Sequence, residues 1–270
     1  MNVMTAVHLL QLTDTHLVGD PAGGMRGIVT LDTLRATLDL ARRRCGGFQQ
    51  LDAILATGDL VHDDPDGYRW IARELGVLGP PVLCLPGNHD DPALMSDVFA
   101  EAPFQYCGHH DCGHWRIVML DSMLPGSAAG RLSDAELQRL ENALADARYK
   151  HALVVLHHHP IPSNSVWLDT VALEEPQRFL EILAKHPRVR GVLWGHVHQA
   201  FDGMHGDIRM MATPSTCVQF KPLVVDFELD TRPPGFRLLS LQDDGRIDSR
   251  IEWLELNDGS KNGVATSGFL

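Results

Sequence analysis

Acidic, amide and imidazole side chains recur in five short blocks, each directly after a short apolar run. In chain order the blocks are Asp14-x-His16, Gly58-Asp59, Gly87-Asn88-His89-Asp90, His157-His158-His159 and Gly195-His196-x-His198. Carboxylate and amide oxygens mixed with imidazole nitrogens suit borderline divalent cations such as Mn, Fe and Zn. The blocks contain no set of thiolates, which argues against a structural zinc. They therefore predict a site for divalent metal ions.

The spacing inside the blocks indicates how the side chains could share ions. Asp14 and His16 are two residues apart, as are His196 and His198, so on an extended backbone each pair projects from one face. Seven ligands, one of them drawn from the histidine triplet, supply two ions if one ligand is shared. A carboxylate can bridge, and Asp59 is the natural candidate because it arrives on a sharp turn. Glycines precede three predicted ligands, where we expect tight turns or close approach to the ions: Gly58, Gly87 and Gly195.

The elements that must position these blocks follow the rhythm of an α/β fold, in which short apolar runs alternate with longer helical patterns. The runs predict strands at residues 7–12, 51–57, 81–85, 116–120, 152–156 and 189–194. Helical periodicity covers residues 31–44, 68–78, 93–100, 132–147 and 173–185, with Ser133 and Glu136 spaced as a capping box. After residue 205, strand-like runs at 208–212, 223–228, 236–241 and 247–254 predict an antiparallel end. Because carboxyl ends of strands in an open sheet face one crevice, the polar blocks should converge there.

Composition narrows the function classes. The chain has 270 residues, 44% of them hydrophobic, which suffices for a sizeable core. We predict one domain over residues 1–256 and a flexible Gly/Ser/Asn-rich tail at 257–270. The 23 basic and 35 acidic side chains give a net charge of −12, which disfavours nucleic acid or an anionic membrane as a partner. Fifteen histidines against three tyrosines are the compositional oddity.

The sequence also bears on the cellular location of the protein and on two further polar segments. No targeting signal and no apolar run of about 20 residues is present, and the five cysteines show no repeated spacing, so we expect a cytoplasmic protein. The segment from Cys107 to His114 is interpreted as a polar hairpin tip between residues 104–106 and 115–120 rather than an extra metal site. The run Asp63-Asp64-Pro65-Asp66 is interpreted as a capping turn, with a rim of carboxylates at the site as the alternative.

The five blocks in this order resemble the calcineurin-like metallophosphoesterase superfamily. The stretch 213–222, the segment 157–162 and Trp167-Leu168-Asp169 further resemble the bacterial class III cyclic-AMP phosphodiesterases. This resemblance implies an α/β fold organised as a four-layer α/β/β/α sandwich of two mixed sheets. A dinuclear metal site would lie at the C-terminal ends of the strands.

Site roles follow from the resemblance, position by position. One metal would be held by Asp14, His16, Asp59 and His198, and the other by Asp59, Asn88, His157 and His196. The alignment of the residues after the triplet favours His157 over His158 as the ligand. Catalytic roles fall to His89, as the general acid, and to Asp90, which would orient the His89 ring or support its pKa. Substrate would contact the residues that line the ions: His16, Asp59, Asn88, His89, His157 and His198.

The resemblance implies hydrolysis of 3′,5′-cyclic AMP to 5′-AMP by a hydroxide that bridges two divalent ions, Fe and/or Mn with Zn as the alternative. A broader phosphoesterase acting on other nucleotides or phosphorylated metabolites, and a noncatalytic module with a degenerate site, are the other hypotheses. The expected partner is a small cyclic nucleotide, with no nucleic acid and no membrane. A homodimer is an open alternative to a monomer. The native metal pair, the residues that recognise the base and the roles of 213–222 are not derivable from the sequence.

Overall fold

Two six-stranded sheets form the centre of the protein in a computed structural model that describes residues 6–255. The first sheet has the spatial order β16 (Ile247–Trp253), β15 (Gly235–Leu241), β1 (Val7–Leu12), β4 (Ala53–Thr57), β5 (Val82–Leu85) and β6 (Phe104–Tyr106). The second has the order β11 (Phe201–His205), β12 (Ile208–Ala212), β10 (Val189–Trp194), β9 (His151–Val155), β8 (Trp115–Met119) and β7 (Gly108–Cys112). Two small hairpins are β2 (Gly24–Met25) with β3 (Ile28–Val29), and β13 (Gln219–Phe220) with β14 (Leu229–Asp230).

Each sheet is mixed, with a parallel centre and antiparallel strands at an edge. In the first sheet β1, β4, β5 and β6 run parallel. Strand β15 pairs antiparallel with β1 on one side and with the edge strand β16 on the other. In the second sheet β8, β9, β10 and β12 run parallel, and both edge strands, β7 and β11, are antiparallel. Parallel neighbours end at the same edge of a sheet, so each sheet presents a row of strand C-termini from which loops can build a site.

The described residues also form six α-helices: α1 (Thr30–Cys45), α2 (Tyr68–Leu75), α3 (Pro92–Val98), α4 (Asp134–Ala145), α5 (Val166–Asp169) and α6 (Pro176–Lys185). Short 3₁₀ turns lie at Phe48–Gln50 and Pro65–Gly67. Apolar side chains of α1, α2 and α3 pack on the outer face of the first sheet, and those of α4 and α6 pack on the second. The predicted four-layer α/β/β/α class is therefore confirmed.

Central strands such as β4, β5 and β9 have nearly continuous apolar sequences because they are buried on both faces. In β1, Leu9 packs between the two sheets, whereas Leu10 and Leu12 face the helices. Trp115 and Leu153 fill the same intersheet layer from the second sheet. In the described part of the chain, no helix is both long and apolar enough to cross a membrane. The single domain over 1–256 stays a prediction, and the predicted tail at 257–270 lies outside the described residues.

Local signals set most helix boundaries. Ser133 caps α4, where its Oγ accepts a hydrogen bond from the Glu136 N–H at 3.1 Å, as predicted. Helix α6 begins at Pro176, later than the predicted residue 173. Its start is displaced because the Leu173 N–H donates to the His159 carbonyl and Glu175 adopts a left-handed backbone with φ 50°. The chain therefore enters the helix only at the proline.

Two predictions near the sheet edges are wrong. Residues 223–228 form no strand, because the carbonyls of Val224 and Val225 accept hydrogen bonds from the first residues of α5 instead of from a neighbouring strand. Residues 104–106 also form no hairpin with 115–120: β6 pairs with β5 in the first sheet, and β7 is the hairpin partner of β8 in the second. Positive φ angles at Cys107 and Gly108 turn the chain from one sheet to the other.

Candidate metal centre

The polar blocks converge where the parallel strands of both sheets end. Loops after β1, β4 and β5 contribute the first three blocks, and loops after β9 and β10 contribute the last two. The seven predicted metal ligands thus come from five loops: Asp14, His16, Asp59, Asn88, His157, His196 and His198. All are buried except Asn88, which is partly buried. Most of this arrangement is closed to solvent, as a centre that holds ions by side chains requires.

Donor atoms of these side chains lie within a few ångströms of one another. Nε2 of His157 is 3.3 Å and Nε2 of His16 is 3.7 Å from Oδ2 of Asp59, so this carboxylate stands between the two rings. Nε2 of His198 is 3.3 Å from Oδ1 of Asp14 and 3.1 Å from Nε2 of His16. Asp59 therefore occupies the position expected of a ligand shared by two ions.

Strained backbone marks these loops. The non-glycine residues with positive φ include Asp14 (53°), His16 (45°), Asp59 (49°), His196 (65°) and His198 (47°). A left-handed conformation is unfavourable for residues with a Cβ and persists where the surrounding structure enforces it. Five of the seven predicted ligands share this conformation, which indicates that the loops are shaped to aim side chains inward at a cost in local stability.

A Cβ has no room at the three glycines that precede predicted ligands, because side chains and backbone of neighbouring loops lie against them. A Cβ on Gly58 would collide with the ring of His157, and one on Gly87 would collide with the carboxylate and backbone of Asp59. A Cβ on Gly195 would overlap the Thr13 hydroxyl and lie 2.8 Å from Oδ2 of Asp14. These glycines allow the loops of the two sheets to meet without a gap.

Backbone carbonyls orient the imidazoles of the second sheet. Nδ1 of His157 donates to the Thr57 carbonyl at 2.9 Å, and Nδ1 of His198 donates to the Val218 carbonyl at 2.7 Å. Nε2 of His196 donates to the Val171 carbonyl at 3.0 Å. A carbonyl can only accept, so each ring donates through this nitrogen and leaves its other nitrogen available to bind metal once that nitrogen carries no proton.

Unsatisfied buried atoms support a cation at this place. Nε2 of His157 and Oδ1 of Asn88 are buried and find no hydrogen-bond partner within residues 6–255. Among the described residues, Asp14 with His16 and Asp59 forms one group whose ligand atoms lie within 4.8 Å of each other, and His157 with His196 belongs to a second. Buried polar atoms normally have partners. The donor set therefore fits divalent ions.

Charge balance in the centre points the same way. Burial alone would raise the pKa values of Asp14 and Asp59, but neighbouring histidines, chiefly His198 and His157 respectively, hold both below the ordinary range. Burial opposes a charge on His157, yet Asp59 and Asp14 raise its pKa to about 9. Burial lowers the pKa of His16 to about 3. The carboxylates are thus ionised, and a cation bound at His157 must displace a proton.

The predicted acid, His89, lies at the open side of the centre. Its backbone N–H donates to Oδ1 of Asp59 at 3.0 Å, and its ring centroid is 5.1 Å from that of His16. Nδ1 of His89 is 3.0 Å from Oδ2 of Asp63. The ring is partly exposed, so it can exchange a proton with solvent.

The expectation that Asp90 orients His89 is wrong. The carboxylate of Asp90 accepts hydrogen bonds from the backbone N–H groups of Leu60 and Gly87 and from the Tyr68 hydroxyl, at 2.9 to 3.1 Å. Burial raises the pKa of Asp90 to about 7. Asp90 therefore ties the loop of Asp59 to the loop of Asn88, and Asp63 is the carboxylate beside the acid. The capping interpretation of this acidic run holds for Asp64, which accepts from the Asp66 N–H.

Comparison with known proteins identifies the family. A family model for calcineurin-like phosphoesterases matches residues 7–200. The chain belongs to this family. Proteins named 3′,5′-cyclic adenosine monophosphate phosphodiesterase CpdA are 39% identical to it, in Pseudomonas aeruginosa over 91% of this chain and 89% of the relative, and in Escherichia coli K12 over 92% and 90%. A 3′,5′-cyclic-nucleotide phosphodiesterase of Nostoc is 32% identical over 93% of this chain and 94% of its own.

Solved structures show the same fold at low sequence identity. A dimetal phosphatase from Danio rerio superposes with a TM-score of 0.61 at 14% identity, covering 91% of this chain and 98% of the other. GAP50, described as the anchor in the inner membrane complex of Plasmodium, also has a TM-score of 0.61, at 13% identity and coverages of 92% and 85%. These similarities establish the calcineurin-like phosphoesterase fold alone.

Several residues around this phosphoesterase centre were not assigned from the sequence. Nδ1 of His62 is 3.1 Å from Nδ1 of His16, and Nδ1 of His158 is 2.9 Å from the Ser122 hydroxyl. The ligand atom of His158 also lies within 4.8 Å of those of His157 and His196. Nε2 of His159 is 3.3 Å from Asp169. No periodicity marks these contacts, because they join residues distant in the chain.

The stretch 213–222 has a structural role that spacing did not reveal. The Ser215 hydroxyl donates to the Asp14 carbonyl at 2.8 Å, and the Phe220 N–H donates to the His198 carbonyl at 3.2 Å. The Phe220 ring stacks on the His198 ring, with centroids 4.0 Å apart and planes 9° apart. Together with the Val218 carbonyl described above, this stretch wraps one ligand from each sheet. It supports the centre by holding these two predicted ligands in place.

Proposed function

We propose that this chain hydrolyses 3′,5′-cyclic AMP to 5′-AMP with two divalent metal ions. The observation that carries the proposal is the 39% identity to CpdA proteins over about nine-tenths of both chains. The buried donor cluster supplies the chemistry such a reaction needs. Asp14, His16, Asp59 and His198 would hold one ion. The second would be held by Asp59 together with Asn88, His157 and His196.

Bound ions would supply positive charge for the phosphate oxygens. They would also lower the pKa of a bound water molecule, so that hydroxide is accessible at neutral pH. Two divalent cations and the ionised Asp14 and Asp59 leave a local charge of about +2. That local charge attracts a phosphodiester even though the whole chain carries −12. Lining side chains proposed to contact substrate are His16, Asp59, Asn88, His89, His157 and His198. The native pair of metals is proposed to be Fe and/or Mn, with Zn as the alternative.

His89 is proposed to protonate the 3′ oxygen of ribose as its bond to phosphorus breaks. Asp63 accepts from Nδ1 of His89, which leaves Nε2 of the same ring to carry the donated proton. The backbone contact from His89 to Asp59 keeps the ring at a fixed distance from the ligand cluster.

The substrate range separates this proposal from a broader phosphoesterase. Purified protein is assayed with added Mn or Fe on 3′,5′-cyclic AMP, cyclic GMP, 2′,3′-cyclic AMP and bis(p-nitrophenyl) phosphate, with products separated by chromatography. We expect 5′-AMP from 3′,5′-cyclic AMP as the favoured reaction. Equal rates on every diester would overturn the assignment to cyclic AMP, and no turnover by metal-loaded protein would overturn the enzyme assignment. A cytoplasmic location and a homodimer stay predictions.

A further inference from the structure

The small β2–β3 hairpin stands at the edge of the metal centre. Sδ of Met25 lies 4.0 Å from Sγ of Cys217, and that sulfur lies within 4.8 Å of ring nitrogens of His16 and His198. The residue after Met25 is Arg26, at the tip of the hairpin. An arginine at this tip is therefore only a few contacts away from two of the proposed metal ligands.

The hairpin turn is built against its local preference. Met25 pairs with Ile28, so Arg26 and Gly27 form a two-residue turn, with φ angles of 52° and 81°. Turns with both central residues at positive φ favour Asn-Gly, because asparagine tolerates the left-handed region better than a long side chain does. Arginine at the first position thus lowers the local stability of the turn. A use for its side chain would explain its presence.

An aromatic row connects the arginine to the centre. Cζ of Arg26 lies over the Phe227 ring, 5.0 Å from its centroid. The Phe227 and Phe220 rings are 5.3 Å apart, and Phe220 stacks on His198. The row Arg26, Phe227, Phe220 and His198 therefore leads by successive ring contacts from the hairpin tip to a proposed metal ligand.

The guanidinium of Arg26 has donors to spare. Within residues 6–255 it forms no hydrogen bond and no ion pair, and its side chain is held by the cation–π contact with Phe227. An arginine carries five N–H donors in one plane. Contact with an aromatic face limits the freedom of that plane, so fewer rotamers are lost when the edge donors bind an acceptor.

We propose that Arg26 is a specificity-determining residue that contacts the base of the cyclic nucleotide. This inference rests on the proposed function. With the phosphate at the donor cluster, the nucleoside extends outward past Phe220 and Phe227 to the hairpin tip. Arginine edge donors match the ring-nitrogen acceptor N7 that purines present. A phosphodiester without a base offers no such acceptor at that distance.

Arg26→Asn removes the side chain and keeps the turn, because Asn-Gly is the preferred pair for this geometry. With 3′,5′-cyclic AMP as substrate, we expect KM to rise roughly tenfold with little change in kcat, the size expected for loss of one charge-assisted hydrogen bond. With bis(p-nitrophenyl) phosphate, kcat/KM should change less than twofold. Arg26→Lys keeps a charged donor but loses the flat contact with Phe227 that positions it, so we expect a KM between those of the wild type and Arg26→Asn. Arg43→Gln, on the exposed side of α1, is the control that removes the same charge elsewhere.

Thermal melting checks that Arg26→Asn is at least as stable as the wild type. An equal loss of kcat/KM on both substrates would overturn the inference, because Arg26 would then act on the phosphate. An unchanged KM for cyclic AMP in Arg26→Asn would overturn it as well while leaving the proposed function intact. Absence of cyclic-AMP turnover by the wild-type protein would overturn the proposed function and this inference together.

Discussion

The two sheets bring different chemistry to the metal centre. Loops of the first sheet supply the oxygen donors and one imidazole: Asp14, Asp59, Asn88 and His16. Loops of the second sheet supply imidazoles alone: His157, His196 and His198. All the negative charge of the proposed ligand set therefore resides on one side. We infer that the first sheet sets the charge of the site. The second sheet sets the directions from which imidazole nitrogens approach the ions.

The two sides are also held in different ways. On the first side, strand-end backbones bond to one another: the Asp14 N–H donates to the Gly58 carbonyl at 3.0 Å, and the His16 N–H donates to the Asp59 carbonyl at 2.9 Å. On the second side, each ring is held by one carbonyl from a different loop. Asp14 joins the sides, since its carboxylate accepts from the His196 N–H at 3.1 Å. Substitutions on the first side should thus change charge and backbone together.

The largest effect should come from Asp59→Asn, which removes the shared carboxylate and keeps its shape. We expect fewer than one bound ion per chain and a loss of kcat on the order of a thousandfold, because both proposed ion sites use this residue. Metal content by mass spectrometry and the rate on cyclic AMP measure the two effects. Asp97→Asn, at an exposed position of α3, is the control. Two tightly bound ions in Asp59→Asn would contradict the bridging role.

His89→Ala should keep both ions and lower the rate on cyclic AMP by roughly a hundredfold, the usual contribution of a general acid. The loss should be much smaller with bis(p-nitrophenyl) phosphate, because p-nitrophenolate leaves without protonation. Equal losses on both substrates would remove His89 as the acid.

Asp63→Asn tests the carboxylate beside the acid, and we expect kcat on cyclic AMP to fall roughly tenfold because the His89 ring loses the carboxylate that orients it. Asp66→Asn, in the same acidic run, serves as the control. An unchanged kcat would mean that Asp63 only contacts the ring.

Asn88→Ala removes a neutral ligand of the first side. We expect the affinity for one ion to fall roughly tenfold to a hundredfold while the other ion stays bound. Titration with Mn followed by calorimetry distinguishes the two sites. Asn142→Ala, exposed on α4, provides the control. Loss of both ions in Asn88→Ala would argue that the two ions do not occupy separate sites.

The smallest effect is expected from Ser215→Ala, which removes the hydrogen bond to the Asp14 carbonyl. A buried hydrogen bond contributes about 1 kcal/mol, so the free energy of unfolding should fall by that amount with little change in kcat. Denaturant unfolding and the rate on cyclic AMP measure both. A large fall in kcat without loss of stability would move Ser215 from support to substrate binding.

Much of the fold followed from the sequence because both sheets have parallel centres buried on two faces. The run 152–156 is apolar throughout, the run 7–12 is apolar except at His8 and Gln11, and both stop at polar residues, so one boundary marks the end of the strand and the start of the site. Residues 223–228 misled the prediction because their apolar side chains resemble a strand, although Leu223 and Val225 are exposed and the backbone bonds to α5.

The parts of the site that escaped prediction depend on contacts between distant loops. Asp63 lies in a run that also caps a 3₁₀ turn, and nothing in its spacing distinguishes the residue that faces His89. Ser215 and Phe220 reach ligands some 200 and 20 residues away in sequence. Such contacts are fixed by packing of the two sheets, which no periodicity encodes.

The most direct test of the account couples metal content to turnover in the wild-type protein. The chain is stripped with a chelator, reloaded with Mn or Fe in steps, and assayed on 3′,5′-cyclic AMP at each step. We predict no activity without metal, saturation at two ions per chain, and 5′-AMP as the product. Turnover by the metal-free chain, or two bound ions with no hydrolysis of cyclic AMP, would contradict the central claim.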